Sequence, residues 1–422
     1  MRVLQAPVNI ANQAWGLAQG LRARGHEVEV WEYGTSVFDY PCDRRIDVTA
    51  GPEAYVAALH DAFRGGFDVV HLHYARSLVP ERIGLPAMWD LPMWRGMGVT
   101  VVMTFHGTDV RLRSHHIADD EWSFYRFSDM PSHEDVIADR LRIIRSYASH
   151  MTVGSVLDLA YAEDAVYVPK VIDTSGLVAT PLPTDGRRPL VVHAPSRRAL
   201  KGTDMIVAGL DRLRAEGVEF DLDLIEGVSN AEALARMSRA DIVVEKVLGG
   251  DVGVTSMEAM ALGRVAVARI RDQVRERHPD LPVVSAAPDT FADVMRDLLG
   301  DPERRARLGR AGPSYVEREH GVEVTGLRLE ELYQRPGRSL GPGYPGWPLP
   351  SPEARLAATE RQVTVLRAAL QRRRERVRKL KESVGDALAE RDEALRELEQ
   401  LDARLGAEPA RGRWARRRFR RR

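Results

Sequence analysis

A chain of 422 residues exceeds one ordinary hydrophobic core, and 44% apolar with 29% charged residues is the balance of a soluble globular protein. No apolar run reaches the roughly 18 residues that cross a bilayer, and polar Asn9, Asn12 and Gln13 interrupt the N-terminus where a secretory segment would be apolar. Cys42 is the single cysteine, which excludes a disulfide framework or a cysteine-built metal site and makes a cytoplasmic location the expectation; the formal charge of zero hides eight Arg and no acid in residues 411–422, a basic tail on an acidic-leaning body.

In chain order, residues 2–6 predict a strand, 11–24 an amphipathic helix stopped by Gly25, and 27–31 the next strand. Residues 67–72 and 99–105 are apolar nearly throughout, the mark of strands buried on both faces of a parallel sheet. After a polar stretch at 181–188 the rhythm restarts, with strands at 190–194, 221–225, 242–245 and 265–268 and helices at 204–216, 231–239 and 255–261. The expected fold is α/β, with two Rossmann-like domains facing a cleft, residues 1–180 and 186–330, each presenting its strand-end loops to the other. A Pro- and Gly-rich linker covers 335–352. Beyond it, residues 353–405 place Leu356, Val363, Leu370, Val377, Val384 and Leu398 on one seven-residue repeat, with Leu366, Leu380 and Leu401 three residues on from members of that series. That is the seam of a coiled coil, and 406–422 form the tail.

Two segments carry chemistry. HAPSRRALKGTD follows the predicted strand 190–194, and strand, basic glycine loop, helix is how α/β folds hold a phosphate. Arg197, Arg198 and Lys201 supply charge, Gly202 permits close approach, and Thr203 or Asp204 is positioned to cap the helix. The alternative is an ordinary solvated loop. In GGDVGVTSMEAMALGRVAV, Gly249, Gly250 and Gly253 expose backbone, and Glu258 is placed near a helix start to accept two ribose hydroxyls, or to be a surface carboxylate favoured by the helix dipole.

The ordered set SRRALKG, LIEG, ADIVV and EAMALGRVAV resembles the donor half of GT-B-fold glycosyltransferases of the retaining family 4 group. FDVVHLHYARS and FHGTDVR resemble that group's N-terminal half. The resemblance implies that Arg197 or Arg198 and Lys201 hold the donor diphosphate, that Glu258 binds the ribose, and that His106 reaches the donor sugar; Asp109 and Arg111 are placed either to orient His106 or to cap the next helix. His71 and His73 are weaker candidates. The chain departs from the family pattern in three places. Gly250, with Asp251 beside it, stands where a sugar-contacting glutamate is usual. Lys170 and Val171 replace the Asn-Gly of the interdomain motif, and Asn9-Ile10-Ala11-Asn12 replaces a Gly-Gly pair. Either Asp251 substitutes for the glutamate or the backbone of 250–253 meets the sugar alone.

The implied activity is transfer of a sugar from a UDP-, GDP- or dTDP-sugar to an acceptor, retaining and without metal or other cofactor, with acceptor loops such as 33–46 and 112–132. A GT-B shell without turnover and a sugar-nucleotide epimerase are the alternatives. Basic residues 372–381 and acidic 386–402 predict an antiparallel self-dimer through the coiled coil. Trp414 and Phe419 among the tail arginines favour peripheral contact with an anionic membrane over nucleic acid.

Overall fold

The computed structural model describes residues 1–34, 40–79, 88–185 and 187–338, and separate helical residues between 360 and 397. The first sheet holds β1 (Arg2–Ala6), β2 (Glu27–Tyr33), β3 (Arg44–Ile46), β4 (Val69–His73), β5 (Thr100–Phe105), β6 (His150–Val153) and β7 (Val166–Tyr167). Their order is β3-β2-β1-β4-β5-β6-β7, parallel throughout. The second sheet holds β8 (Leu190–His193), β9 (Asp221–Leu224), β10 (Ile242–Lys246), β11 (Val265–Ala268) and β12 (Val283–Ser285), ordered β12-β11-β10-β8-β9 and again parallel. The apolar runs behind the strand assignments are the ones buried on both faces: β4 and β11 have no residue outside the core. Two Rossmann-like domains result, as the strand and helix rhythm requires.

Each sheet reverses its strand order once. The reversal lies between β1 and β4 in the first sheet and between β8 and β10 in the second. Crevices open at the carboxyl ends of strands at such points, and both face the space between the domains.

The chain crosses between the domains twice. After the second sheet, helix Pro302–His320 packs against Val254–Ala261, with Gly312 against the Met260 backbone. A turn at Gly321 then sends helix Val322–Gln334 back onto the first domain's helix Gln13–Ala23. Gly20 and Gly326 let these two helices touch backbone to backbone. Leu329, Leu332 and Tyr333 complete the core around Val3, Leu17 and Leu21. The outgoing and returning crossings are themselves joined, since the Ile172 N–H donates to the His320 carbonyl at 2.8 Å.

Residues Pro345–Arg422 form a separate unit. Its described residues are helical, and Val363, Leu370, Val377 and Val384 of the predicted seam are 39–58% exposed. The other seam leucines and the basic tail lie outside the described residues. No described helix is long and apolar enough to cross a membrane.

Candidate functional site

The first domain's switch point ends in a buried polar chain. The His73 Nε2–H donates to the Gln5 side-chain carbonyl at 2.6 Å, so His73 Nδ1 must accept, and it does so from His106 Nε2 at 3.1 Å. His106 is thereby fixed with its proton on Nε2 and Nδ1 left as an acceptor. Burial, with Lys170 adding to it, pushes His106 down to about 3, so the ring is neutral. His71, stacked on His73, bonds Tyr333 and Thr104, which ties the returning helix into the same chain.

Asp109 Oδ1 accepts the His106 backbone N–H at 2.9 Å, while its Oδ2 is buried with no partner among the described residues. Burial raises this carboxyl to about 7. Arg111 pairs with buried Asp158 at 2.6 Å. A cavity of about 40 Å³ under His106 is bordered by Gln13, Arg111, Asp158 and Lys170.

In the second domain Lys201, at the end of the short helix Arg198–Lys201, reaches buried Glu245 on β10 at 2.8 Å. The other Glu245 oxygen accepts the Gly253 N–H at 2.9 Å and the Ser256 hydroxyl at 2.6 Å. Gly253 has no room for a Cβ because Glu245 lies against it. Burial works to raise Glu245, and Lys201 and Lys246 overcome it, holding the carboxylate far below its usual range. Glu258, on the same helix Val254–Ala261, accepts from Asn230 at 3.1 Å; burial raises it to about 7 against that hydrogen bond. Lys201, Gly253 and Glu258 are thus gathered at the strand ends.

The two arginines separate. Arg197 is exposed and has no partner among the described residues, so it is available to an anion; Arg198 is held by Glu226 at 3.0 Å and Asp204 at 2.8 Å. The capping expectation fails. Gly202, with φ +73°, is the N-cap of helix Thr203–Ala215, and no side chain caps it. Buried Thr203 instead bonds His193 at 2.9 Å, and Asp204 is taken by Arg198.

The departures from the family pattern meet in space. Lys170, in place of the usual Asn, donates to Asp251 at 2.9 Å and to the Val252 carbonyl at 2.9 Å. Burial works to raise Asp251, and Lys170 with Lys246 reverses this, so it titrates below the carboxylate range. Gly250 has φ +81°, and a Cβ there would fall 2.6 Å from Arg271 Cδ. A side chain at 250 and the present course of Arg271 exclude each other. Arg271 continues to Asp119 at 2.7 Å, and Arg269 grips Asp120 at 2.8 Å, so both cross to the first domain. Segment 112–132, expected among the acceptor loops, carries these contacts between the domains. Phe124 and Tyr125 sit in the core with Val191 and Val244 of the second sheet. In the remaining departure, Ala11 (φ 49°) and Asn12 (φ 61°) take the left-handed backbone that a Gly-Gly pair would supply.

Sequence reasoning missed Glu245 and Lys246, and met Lys170 only as a departure without a role. Charged residues at the end of an otherwise apolar strand, Glu245-Lys246 after Ile242–Val244, were the available signal.

Residues 10–131 match the sequence profile of the glycosyl transferase 4-like domain. A GDP-mannose-dependent monoacylated alpha-(1-6)-phosphatidylinositol monomannoside mannosyltransferase of Corynebacterium glutamicum is 33% identical over 86 residues. That match spans 20% of this chain and 23% of the relative. Among solved structures, sucrose-phosphate synthase from Thermosynechococcus elongatus superposes with a TM-score of 0.57 at 17% identity, covering 79% of this chain and 98% of that one. Anabaena HepE, in complex with UDP and glucose, gives 0.54 at 11% identity, covering 78% and 98%.

Proposed function

We propose that this chain, which has the GT-B fold and a family 4-like glycosyltransferase region in its first domain, transfers a sugar from a nucleotide-sugar donor to an acceptor. One observation carries this. Lys201 and the start of helix Val254–Ala261 meet through Glu245 at the switch point of the second sheet, with Glu258 on that same helix and exposed Arg197 in the loop that follows β8. Cations and backbone N–H groups there suit a diphosphate, and a carboxylate nearby suits a ribose. The complexes of HepE with UDP and with UDP-glucose support a nucleotide donor on this fold.

In the proposed reaction the bond between the sugar's anomeric carbon and the phosphate oxygen breaks, and its electron pair leaves with the diphosphate. Arg197 and Lys201 stabilise that charge. The acceptor oxygen bonds the same face of the carbon and yields its proton to the departing phosphate oxygen, so configuration is retained. The transition state resembles an oxocarbenium ion. His106 lies on the first-domain side, neutral and fixed in tautomer. Asp251, aimed by Lys170, takes the place of the missing glutamate at the sugar end.

The described seam residues, exposed at seven-residue spacing, support self-pairing of the C-terminal helix, and the tail composition supports contact with an anionic surface. Pelleting with anionic and with neutral liposomes tests the surface contact, which selective binding to the anionic set supports.

Incubation with a panel of UDP-, GDP- and dTDP-sugars tests the activity. One donor should release its nucleoside diphosphate. Failure with every donor, together with no thermal shift by any, supports a scaffold without turnover; free epimerised sugar supports an epimerase.

A further inference from the structure

We propose that Lys246 is a third cation of the diphosphate subsite, meeting the donor from the end of β10 while Lys201 meets it from the loop after β8. The assignment presupposes donor binding at these strand ends. Lys246 stands beside the reversal of strand order, where the β8 and β10 ends part. Among the described residues its one ion-pair partner is Glu245 Oε1 at 3.4 Å, and that oxygen is also bonded at 2.8 Å by Lys201. The other Glu245 oxygen is filled by Gly253 and Ser256. Glu245 therefore has little left to give, and Lys246 is the second claimant on a single oxygen.

The surrounding charges do not cancel. Lys246 is influenced by Glu245, Lys201, Asp251 and Lys170, and Lys170 is already paired with Asp251. Three ammonium groups face these two carboxylates; Glu258, which acts on Lys201 and Glu245, is raised to about 7 and only partly ionised at neutral pH, so positive charge is in surplus and Lys246 has the longest contact. Its side chain is only 16% exposed, so water supplies little compensation. Burial lowers it to about 8 in spite of Glu245. An arriving diphosphate would supply the missing negative charge, which a nucleoside would not.

Calorimetric titration of the full chain with UDP, GDP and dTDP, and with the matching nucleosides, tests this. The diphosphate that binds wild type should bind Lys246→Gln about tenfold more weakly, the loss of one charge-assisted contact, while nucleoside affinity is unchanged. Raising the pH from about 7 to about 9 should weaken diphosphate binding to wild type, because the free lysine loses its proton near 8. Lys246→Arg should bind at both pH values, since its charge does not titrate there. Wild-type diphosphate affinity in a folded Lys246→Gln overturns the proposal and leaves donor binding standing. A parallel loss of nucleoside affinity overturns it in favour of a structural role. Wild type that binds none of the diphosphates removes the donor site itself, and this assignment with it.

Discussion

The proposed nucleotide end and the proposed sugar end of the site are built by opposite means. At the proposed nucleotide end Lys201, Glu245, Gly253 and Glu258 all belong to one domain; Glu245 ties Lys201 to Gly253, and Asn230 holds Glu258. At the sugar end Lys170 and Asp251 come from the two sides of the cleft, and Gly250 is kept bare by Arg271 on its way to Asp119. The first is bonded within a single domain, and the second needs both domains to supply its residues. Lys170 and Asp251 are each unusual against the family pattern, and together they form a neutral pair. Two departures that read separately as losses are one exchange.

Breaking that pair should have the largest effect. Lys170→Met leaves Asp251 charged and poorly solvated, and should destabilise the fold by about 3 kcal/mol. Adding Asp251→Asn removes the stranded charge and should recover most of the loss in urea titrations; additive losses would mean the two do not interact. Next, Glu258→Ala should weaken nucleoside diphosphate binding by about 2 kcal/mol, measured by calorimetry, with the thermal midpoint nearly unchanged. An intact affinity would take the ribose away from this residue.

Gly250→Ala probes the sugar end from the other side. The positive φ and the displaced Arg271 should cost about 1–2 kcal/mol, and the loss should shrink when Asp119→Asn has already released the arginine. Asp109 sharpens the comparison through pH. Its folded carboxyl titrates near 7, above the unfolded range, so the folded state holds its proton more tightly. That contribution is full below about pH 4 and is lost as pH rises through about 7. Asp109→Asn should therefore melt higher than wild type at about pH 8, and the gap should close by about pH 4. The smallest effect belongs to Ala11→Gly, which should gain up to about 1 kcal/mol in a thermal melt by relieving the left-handed backbone.

Much of this was legible in the sequence, for reasons that also mark where legibility stops. Strands β4, β5, β8, β10 and β11 announce themselves because each carries a run of adjacent buried apolar residues, unbroken in β11 and followed by Glu245-Lys246 in β10. Edge strand β3 is Arg-Arg-Ile, and β6 begins with a histidine, so neither alternation nor an apolar run marks them. Lys201 and Glu258 stand in strings whose order alone implies their place. Lys170 stood there only as a mismatch, since its meaning depends on Asp251, 81 positions away. Thr203 had the chemistry of a cap, and tertiary contact with His193 drew its side chain elsewhere. The aromatic run at 122–127 was open to a different reading, because Trp122, Phe124, Tyr125 and Phe127 are too many large apolar groups for a solvated loop.

The paired crossings at Ile172 and His320 bear on how such a molecule opens. A body attached by one strand swivels freely; one hung on two adjacent, mutually bonded strands behaves like a door on two pins. The swing left to it turns about the line through those pins. Lys170 lies two residues from one pin, and the ion pairs of Arg269 and Arg271, which pass beside Gly250, are the latch that any swing about those pins must release.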